Sequence, residues 1–323
     1  MNFTRRQTLA LIAALPMAVA AQGTGSYPTK PIRIIIPVPA GGQTDILARL
    51  LGQKIGDALG QPVIVESKAG ASTMIATEAV AKAPGDGYTL LMTLTQFVQN
   101  PLLMPKVPYD VFKDFVPVTR VAESTAIFCV GSDLPVKNLA EFVALAKKPG
   151  SLLTYGSNGH ASTSHMYADM LSRQAGMTLT HVPYKGEAQM IPDIVSGRLN
   201  AGFLSGMAAN QQAKEGKVRI LATTGRKRLT SLPNAPTFDE QGFKGLDADG
   251  WVGIFAPSAT PTAIVDRLSA EFAKAIAQPD VRERIISFGL EPVGGTSAEF
   301  TTVVRRSHEE WSRIVKTLDM KLL

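Results

Sequence analysis

Two strand-to-helix turns hold the residues best suited to chemistry in this chain. The first is Pro37-Val-Pro-Ala-Gly-Gly-Gln-Thr-Asp45. Here Gly41 and Gly42 let backbone approach a guest, and Thr44 is placed to cap a helix beginning at Asp45. The first-turn amides and dipole of such a helix attract an anion. The second turn is Tyr155-Gly-Ser-Asn-Gly-His-Ala-Ser-Thr-Ser-His165, whose hydroxyl and imidazole groups suit hydrogen bonding to a carboxylate or an amide. Each turn also has a plain structural reading, as a tight βα connection or an N-cap with spare serines.

Signals for catalysis are poor. His160 and His165 are five residues apart, so they do not share a helix face, and no His-Glu-x-x-His or Cys–His spacing accompanies them. No metal set is expected. Ser157 is not in a nucleophile elbow, because Tyr155 occupies the position of its first glycine. No Walker loop exists, and Gly85-Asp-Gly-Tyr-Thr-Leu90 lacks the third glycine of a dinucleotide fingerprint. Asp45 and Asp193 could face each other across a cleft as acid and base, but isolated carboxylates more often cap helices or stay solvated. No catalytic residue and no cofactor is expected.

The elements that position these turns alternate in type. Apolar spacing predicts strands over 32–36, 63–65, 88–94, 153–155, 179–182, 201–204 and 218–222. Between them it predicts helices over 44–59, 74–83, 138–148, 162–174 and 190–196. Such βα alternation implies parallel sheets covered on both faces, with ligands bound outside the carboxyl ends of the strands. Two apolar runs set among turn residues, 126–130 and 251–255, read as segments crossing between two domains. After the second run the pattern is helical, over 262–277, 281–288 and 298–318, and this block is expected to pack back on the first half.

The composition suits a folded protein. Of 323 residues, 45% are hydrophobic and 19% charged, enough apolar side chain for two cores and too much for a disordered chain. A formal charge of +6 favours anions, but the excess is scattered. Arg226-Lys-Arg228 has no interleaved aromatics and reads as a solvated loop, so no nucleic-acid partner is expected. The single cysteine, Cys129, can form no intramolecular disulfide. Residues 1–21 read as an export signal: Arg5 and Arg6, then a short apolar run, then small residues for cleavage at 18–21. The stretch Thr4-Arg-Arg-Gln-Thr-Leu9 also resembles a twin-arginine signal, without the Phe usual there.

In order, the chain resembles the Bug receptors, the extracytoplasmic solute-binding proteins of tripartite tricarboxylate transporters. The likeness is carried by Pro31-Ile-Arg-Ile-Ile-Ile-Pro37 leading into Gly41-Gly-x-Thr-Asp45, by Asp86-Gly-Tyr-Thr-Leu90, Asn100-Pro101 and Pro108-Tyr-Asp110, and by Tyr155-Gly-Ser157, His181-Val-Pro-Tyr-Lys-Gly186 and Leu232-Pro-x-x-Pro-Thr237. It implies an α/β fold of the periplasmic-binding-protein (type II) clamshell type, with two parallel-sheet domains joined by two crossing segments. The expected division is 27–128 with 253–323 as one domain and 129–252 as the other.

The resemblance also implies a function: a periplasmic monomer that captures a small organic carboxylate by hinge closure and hands it to membrane permease subunits. It places Gly41, Gly42, Thr44 and Asp45 against the ligand from one side, and Ser157, Ser162 and Thr163 from the other. Thr95, His160, Tyr184 and Asp193 complete the candidate ligand set, with no metal. The chain departs from the family at Ser67-Lys-Ala-Gly-Ala-Ser-Thr-Met74, where Asn-Arg-Pro-Gly-Ala-Gly-Gly-Asn is usual, at Ala40 for a Pro, at Phe97 for a His and at Ala161 for a Gly. Met74 and Phe97 would make one cleft wall apolar, which points to an aromatic or longer-chain acid. A sensor feeding a signalling partner is a second reading, and a hydrolase on the same scaffold a third.

Overall fold

A computed structural model of the chain describes residues 27–248 and 250–318. The export signal expected over 1–21 lies outside the described residues. The first half runs β1 (Ile32–Ile36), α1 (Gln43–Leu59), β2 (Val63–Ser67), α2 (Met74–Ala81), β3 (Thr89–Leu94), α3 (Gln96–Leu103) and β4 (Phe115–Ser124). The second runs β5 (Ala126–Gly131), α4 (Leu139–Ala146), β6 (Thr154–Ser157), α5 (Thr163–Ala175), β7 (Thr180–Pro183), α6 (Glu187–Val195), β8 (Ala201–Ser205), α7 (Gly206–Lys214) and β9 (Val218–Thr223). The chain then returns through β10 (Gly250–Pro257), α8 (Thr262–Ala277), α9 (Pro279–Ser287), β11 (Leu290–Gly294) and α10 (Ser297–Leu318).

Two sheets result, in the orders β11-β4-β10-β3-β1-β2 and β7-β6-β8-β5-β9. They are mixed, not purely parallel as expected. β1 is parallel to β2 and β3, and β6 to β7 and β8, but β10 runs antiparallel to β3 and β4, β11 to β4, and β5 to β8 and β9. The physical reason lies in the crossing segments. Each of the two apolar runs read as a crossover enters a new sheet as a full strand, β5 or β10, and a strand arriving from the other domain need not share the direction set by βα units.

The sheets change at Thr125 and again between β9 and β10. Ile127 and Phe128 therefore belong to the second sheet, and Gly250 to Val252 to the first. The two crossings are tied together: Ala126 N–H donates to Thr224 Oγ1 and Thr224 N–H to Ala126 O, both at 2.9 Å.

Helix positions follow from burial. In α1 the buried Leu47, Ala48, Leu51 and Ile55 form one face, and the helix stops at Gly60, whose φ of 69° is the left-handed cap a glycine takes without steric cost. In α10 the buried Phe300, Val304, Ser307, Trp311, Val315 and Leu318 form a stripe that returns to the first domain. Its Phe300 ring lies so close over Gly253 that any Cβ there would clash. Trp311 also meets Tyr167 of α5 at a ring separation of 5.5 Å, so α10 touches both domains. Arg226 and Arg228 are exposed, as expected of a solvated loop, and also paired: Arg226 with Glu310 on α10 at 3.0 Å, and Arg228 with Glu240 at 2.9 Å.

Candidate functional site

A cavity of about 680 Å³ lies between the two sheets, at the carboxyl ends of their parallel strands. Five helices begin on it. α1 presents Gly42, Gln43 and Thr44; α3 presents Thr95 and Gln96; α5 presents Ser162 to Ser164; α6 presents Gly186 to Ala188; and α7 presents its cap, Ser205. Each follows a strand directly, so the βα order of the sequence is what aims these amides at one space.

The cap of α1 differs from expectation. Gly42, extended at φ −76° and ψ 168°, is the N-cap, and Thr44 lies inside the first turn. Gly42 has no side chain to offer, so no cap hydrogen bond closes the end of α1, and α3 and α6 likewise lack one. Val98 N–H of α3 and Gln189 N–H of α6 donate back to the carbonyls of Thr95 and Gly186, and the amides before them have no acceptor within their helix. α5 and α7 are closed by Ser162 and Ser205, which accept from His165 N and Ala208 N.

Electrostatics comes from backbone, not from cations. Among the described residues lining the cavity there is no Lys, Arg or His, and the one ionisable side chain of formal charge is Glu187. Its carboxylate is already engaged, accepting from Ser205 N and Oγ at 2.8 Å each. The helix N-termini therefore give the cavity a positive character held in fixed dipoles. Trp311 lines the cavity fully buried, and its Nε1–H has no partner among the described residues.

The expected residues divide into three groups. Gly42, Thr44, Thr95, Ser162 and Thr163 line the cavity. Thr95 is tied into the hinge, its Oγ1 accepting from Trp251 N at 2.8 Å. Thr163 Oγ1 donates to Gln99 Oε1 at 3.0 Å, a bond from the second domain to the first. Gly41 and Asp45 stand behind the lining: Gly41 N–H donates to Asp45 Oδ2 at 2.9 Å, and Arg49 pairs with the same carboxylate at 2.9 Å. The Arg49 guanidinium beside Asp45, helped by the Gly41 amide, holds the carboxyl below the usual range.

Ser157, His160, Tyr184 and Asp193 lie outside the lining. Asp193 does not face Asp45 across the cleft as an acid–base partner; it accepts from Tyr184 Oη at 2.7 Å and pairs with Arg198 at 2.6 Å.

Two further expectations are corrected. Phe97 forms no cleft wall: it is fully buried, stacked on Tyr109 at 5.4 Å and in contact with Phe115 and Phe255. Met74 packs against that same core. Spacing along the chain also gave no reason to group His160 and His165, yet the fold adds His181 from β7, and the three offer nitrogen atoms all within 4.8 Å of one another. Sequence reasoning missed Trp251 and Trp311 as lining residues because their approach depends on how β10 and α10 return, and it missed Glu187, the first residue of α6, because no motif marks that helix start.

Residues 47–320 match the family described as TctC, tripartite tricarboxylate transporter family receptor. The chain belongs to that family. The receptor is 30% identical to Protein BugT of Bordetella pertussis, over the whole of both chains. It superposes on an R. palustris protein solved with adipate at TM-score 0.82 and 31% identity, covering 92% of this chain and all of that one. MatC from Rhodopseudomonas palustris, with bound malate, matches at TM-score 0.77 and 29% identity, over 90% of the receptor and all of MatC. Members of this family are solute-binding receptors, and the two-domain α/β fold is that of periplasmic binding proteins. No helix of the described residues is long and apolar enough to cross a membrane.

Proposed function

We propose that the receptor captures one small aliphatic dicarboxylate in the cavity between its domains and closes on it, as a periplasmic monomer serving the permease subunits of a tripartite tricarboxylate-type transporter. The observation that carries this reading is the convergence of five helix N-termini on a cavity without cationic side chains. Uncapped α1 and α3 belong to the first domain and uncapped α6 to the second, so one carboxylate can be held at each end of a short ligand. An anion engaging both domains stabilises only the closed form, which is how a hinge converts binding into a recognisable surface. The unpartnered Trp311 Nε1–H supplies one further donor for a ligand oxygen. Phe97 lies in the core and Met74 packs against it, so neither residue argues for an aromatic acid. Adipate and malate in the two R. palustris proteins support the aliphatic class.

Three features support the remaining parts of this reading. The pattern over 1–21 supports export. One chain builds the whole cavity, which supports a monomer. Among the described residues the lining carries no metal or nucleotide ligand set, and the dicarboxylate is expected to bind one-to-one without either.

The test is a thermal-shift screen of malate, succinate, adipate and benzoate in the presence of EDTA, beside native mass spectrometry of freshly purified receptor for a retained acid. An aliphatic dicarboxylate is expected to give the largest upward shift. A larger shift with benzoate, or loss of all shifts in EDTA, contradicts the reading.

A further inference from the structure

Three of the chain's four histidines meet outside the cavity, behind the turn that leads into α5. His181 and His165 stack at 3.9 Å, with planes 13° apart, and Tyr155 lies 5.0 Å from His181 and 6.3 Å from His165. His160 stands edge-on to both, at 5.0 Å from His181 and 5.8 Å from His165. His160 is exposed; the other two are half-buried. We propose that His160, His165 and His181 form a binding site for a late first-row divalent transition-metal ion, with Zn²⁺ the representative case.

The chemistry fits an imidazole-loving ion. Neutral imidazole suits Zn²⁺, Cu²⁺ and Ni²⁺ over hard cations. His181 already has the outer contact that metal-bound imidazoles use: its Nε2 is 2.6 Å from Ser157 Oγ. The Ser157 hydroxyl can donate to Gly159 O at 2.9 Å, so His181 Nε2–H donates to Ser157 and Nδ1 is left for the ion. His165 Nδ1 accepts from Ala161 N–H at 2.9 Å. An ion on His165 displaces that bond whichever nitrogen it takes, directly at Nδ1, or at Nε2 because the ring proton then sits on Nδ1.

Distances allow the site to assemble. Zinc–nitrogen bonds of about 2.0–2.1 Å put tetrahedral ligand atoms roughly 3.4 Å apart. From a largest separation of 4.8 Å the rings need to close by no more than about 1.5 Å. Exposed His160, on a turn, can supply most of that movement, and solvent can fill the fourth position. The displaced Ala161 bond sets an expectation of micromolar affinity.

The site is independent of the carboxylate reading, since none of its three residues lines the cavity. The test is calorimetric titration of the untagged protein with Zn²⁺, freed of metal beforehand, with His160→Ala and His308→Ala as variants. One equivalent is expected to bind the parent and His308→Ala alike, and His160→Ala to bind about tenfold or more weakly. A Cu²⁺ titration should show nitrogen hyperfine structure in electron paramagnetic resonance that is reduced in His160→Ala. Zn²⁺ binding that is absent at micromolar concentration in the parent, or equal in His160→Ala and the parent, overturns the proposal. Because His160 is exposed, the variant is expected to keep the parent's unfolding temperature, which separates lost ligation from lost fold.

Discussion

The backbones of the two domains meet at one point on the rim of the cavity. Gly206 opens α7 in the second domain, and Gly289, at φ +71°, joins α9 to β11 in the first. A Cβ on Gly206 would lie 2.6 Å from both the Cα and the O of Gly289, well inside the 3.4 Å at which ordinary contact begins. Their neighbours Ser205 and Leu290 line the cavity, so opening the proposed hinge would part this contact. Gly206→Ala therefore acts as a wedge. Overpacking of this kind costs about 1–3 kcal/mol. If the hinge relieves it by opening, the whole penalty falls on the closed state, and dicarboxylate affinity drops about 5- to 140-fold at ~1.4 kcal/mol per tenfold. Calorimetric titration measures the affinity, small-angle scattering the expected increase in radius of gyration, and thermal unfolding without ligand the expected near-constancy of fold stability. Unchanged affinity together with an unchanged scattering profile would refute the reasoning.

Three other outcomes are expected. Trp311→Phe keeps the aromatic packing but removes the unpartnered Nε1–H, so a ligand carboxylate should lose about 1.5–3 kcal/mol, at least tenfold in Kd, by calorimetry; an unchanged Kd means the indole does not meet the ligand. Ser72 is exposed and held at φ 50°, ψ 48°, a left-handed conformation in which glycine is unstrained, so Ser72→Gly should raise stability by about 0.5–1 kcal/mol in denaturant unfolding; no gain or a loss contradicts that strain. Asp45 titrates below the ordinary 3.8 in the folded protein, so at acid pH the unfolded chain binds its proton first. Its stabilising contribution is thus complete above about pH 4 and is lost as pH falls through the lower folded value. Parent protein should lose stability more steeply than Asp45→Asn below pH 4; parallel acid profiles would show that Arg49 and Gly41 do not hold the carboxylate.

Much of the local structure was legible because it is set by short-range pattern. The apolar positions of α1, α8 and α10 recur at helical spacing, and the Ile-rich β1 could be nothing but a buried strand. Strand direction was not legible, since the apolar run of β5 or β10 reads the same either way along a sheet. α3 was hidden by Pro101 inside it, and β4 by Pro117 and Arg120 within its apolar pattern. Thr44 has the side chain of an N-cap, yet backbone conformation alone makes the cap two residues earlier, at Gly42. The residue type of Phe97 says nothing of which way it faces, which is decided by Tyr109, Phe115 and Phe255 arriving from elsewhere. The histidine cluster needed a residue from another strand, which no spacing rule can supply.

The central claim is that a carboxylate is held by the open amides at the start of α1, and Gly42→Asp tests it most directly. Gly42 has a φ of −76°, and a Cβ there would meet only Pro39 O, at 3.5 Å, so the substitution adds a like charge at the anion's approach without backbone strain. Titration of the parent with the strongest dicarboxylate from the screen should give one-to-one binding. The variant, with its unfolding temperature close to the parent's, should bind about a hundredfold or more weakly, the loss of roughly 3 kcal/mol. Equal affinity in a folded Gly42→Asp protein would show that the anion does not sit at this turn.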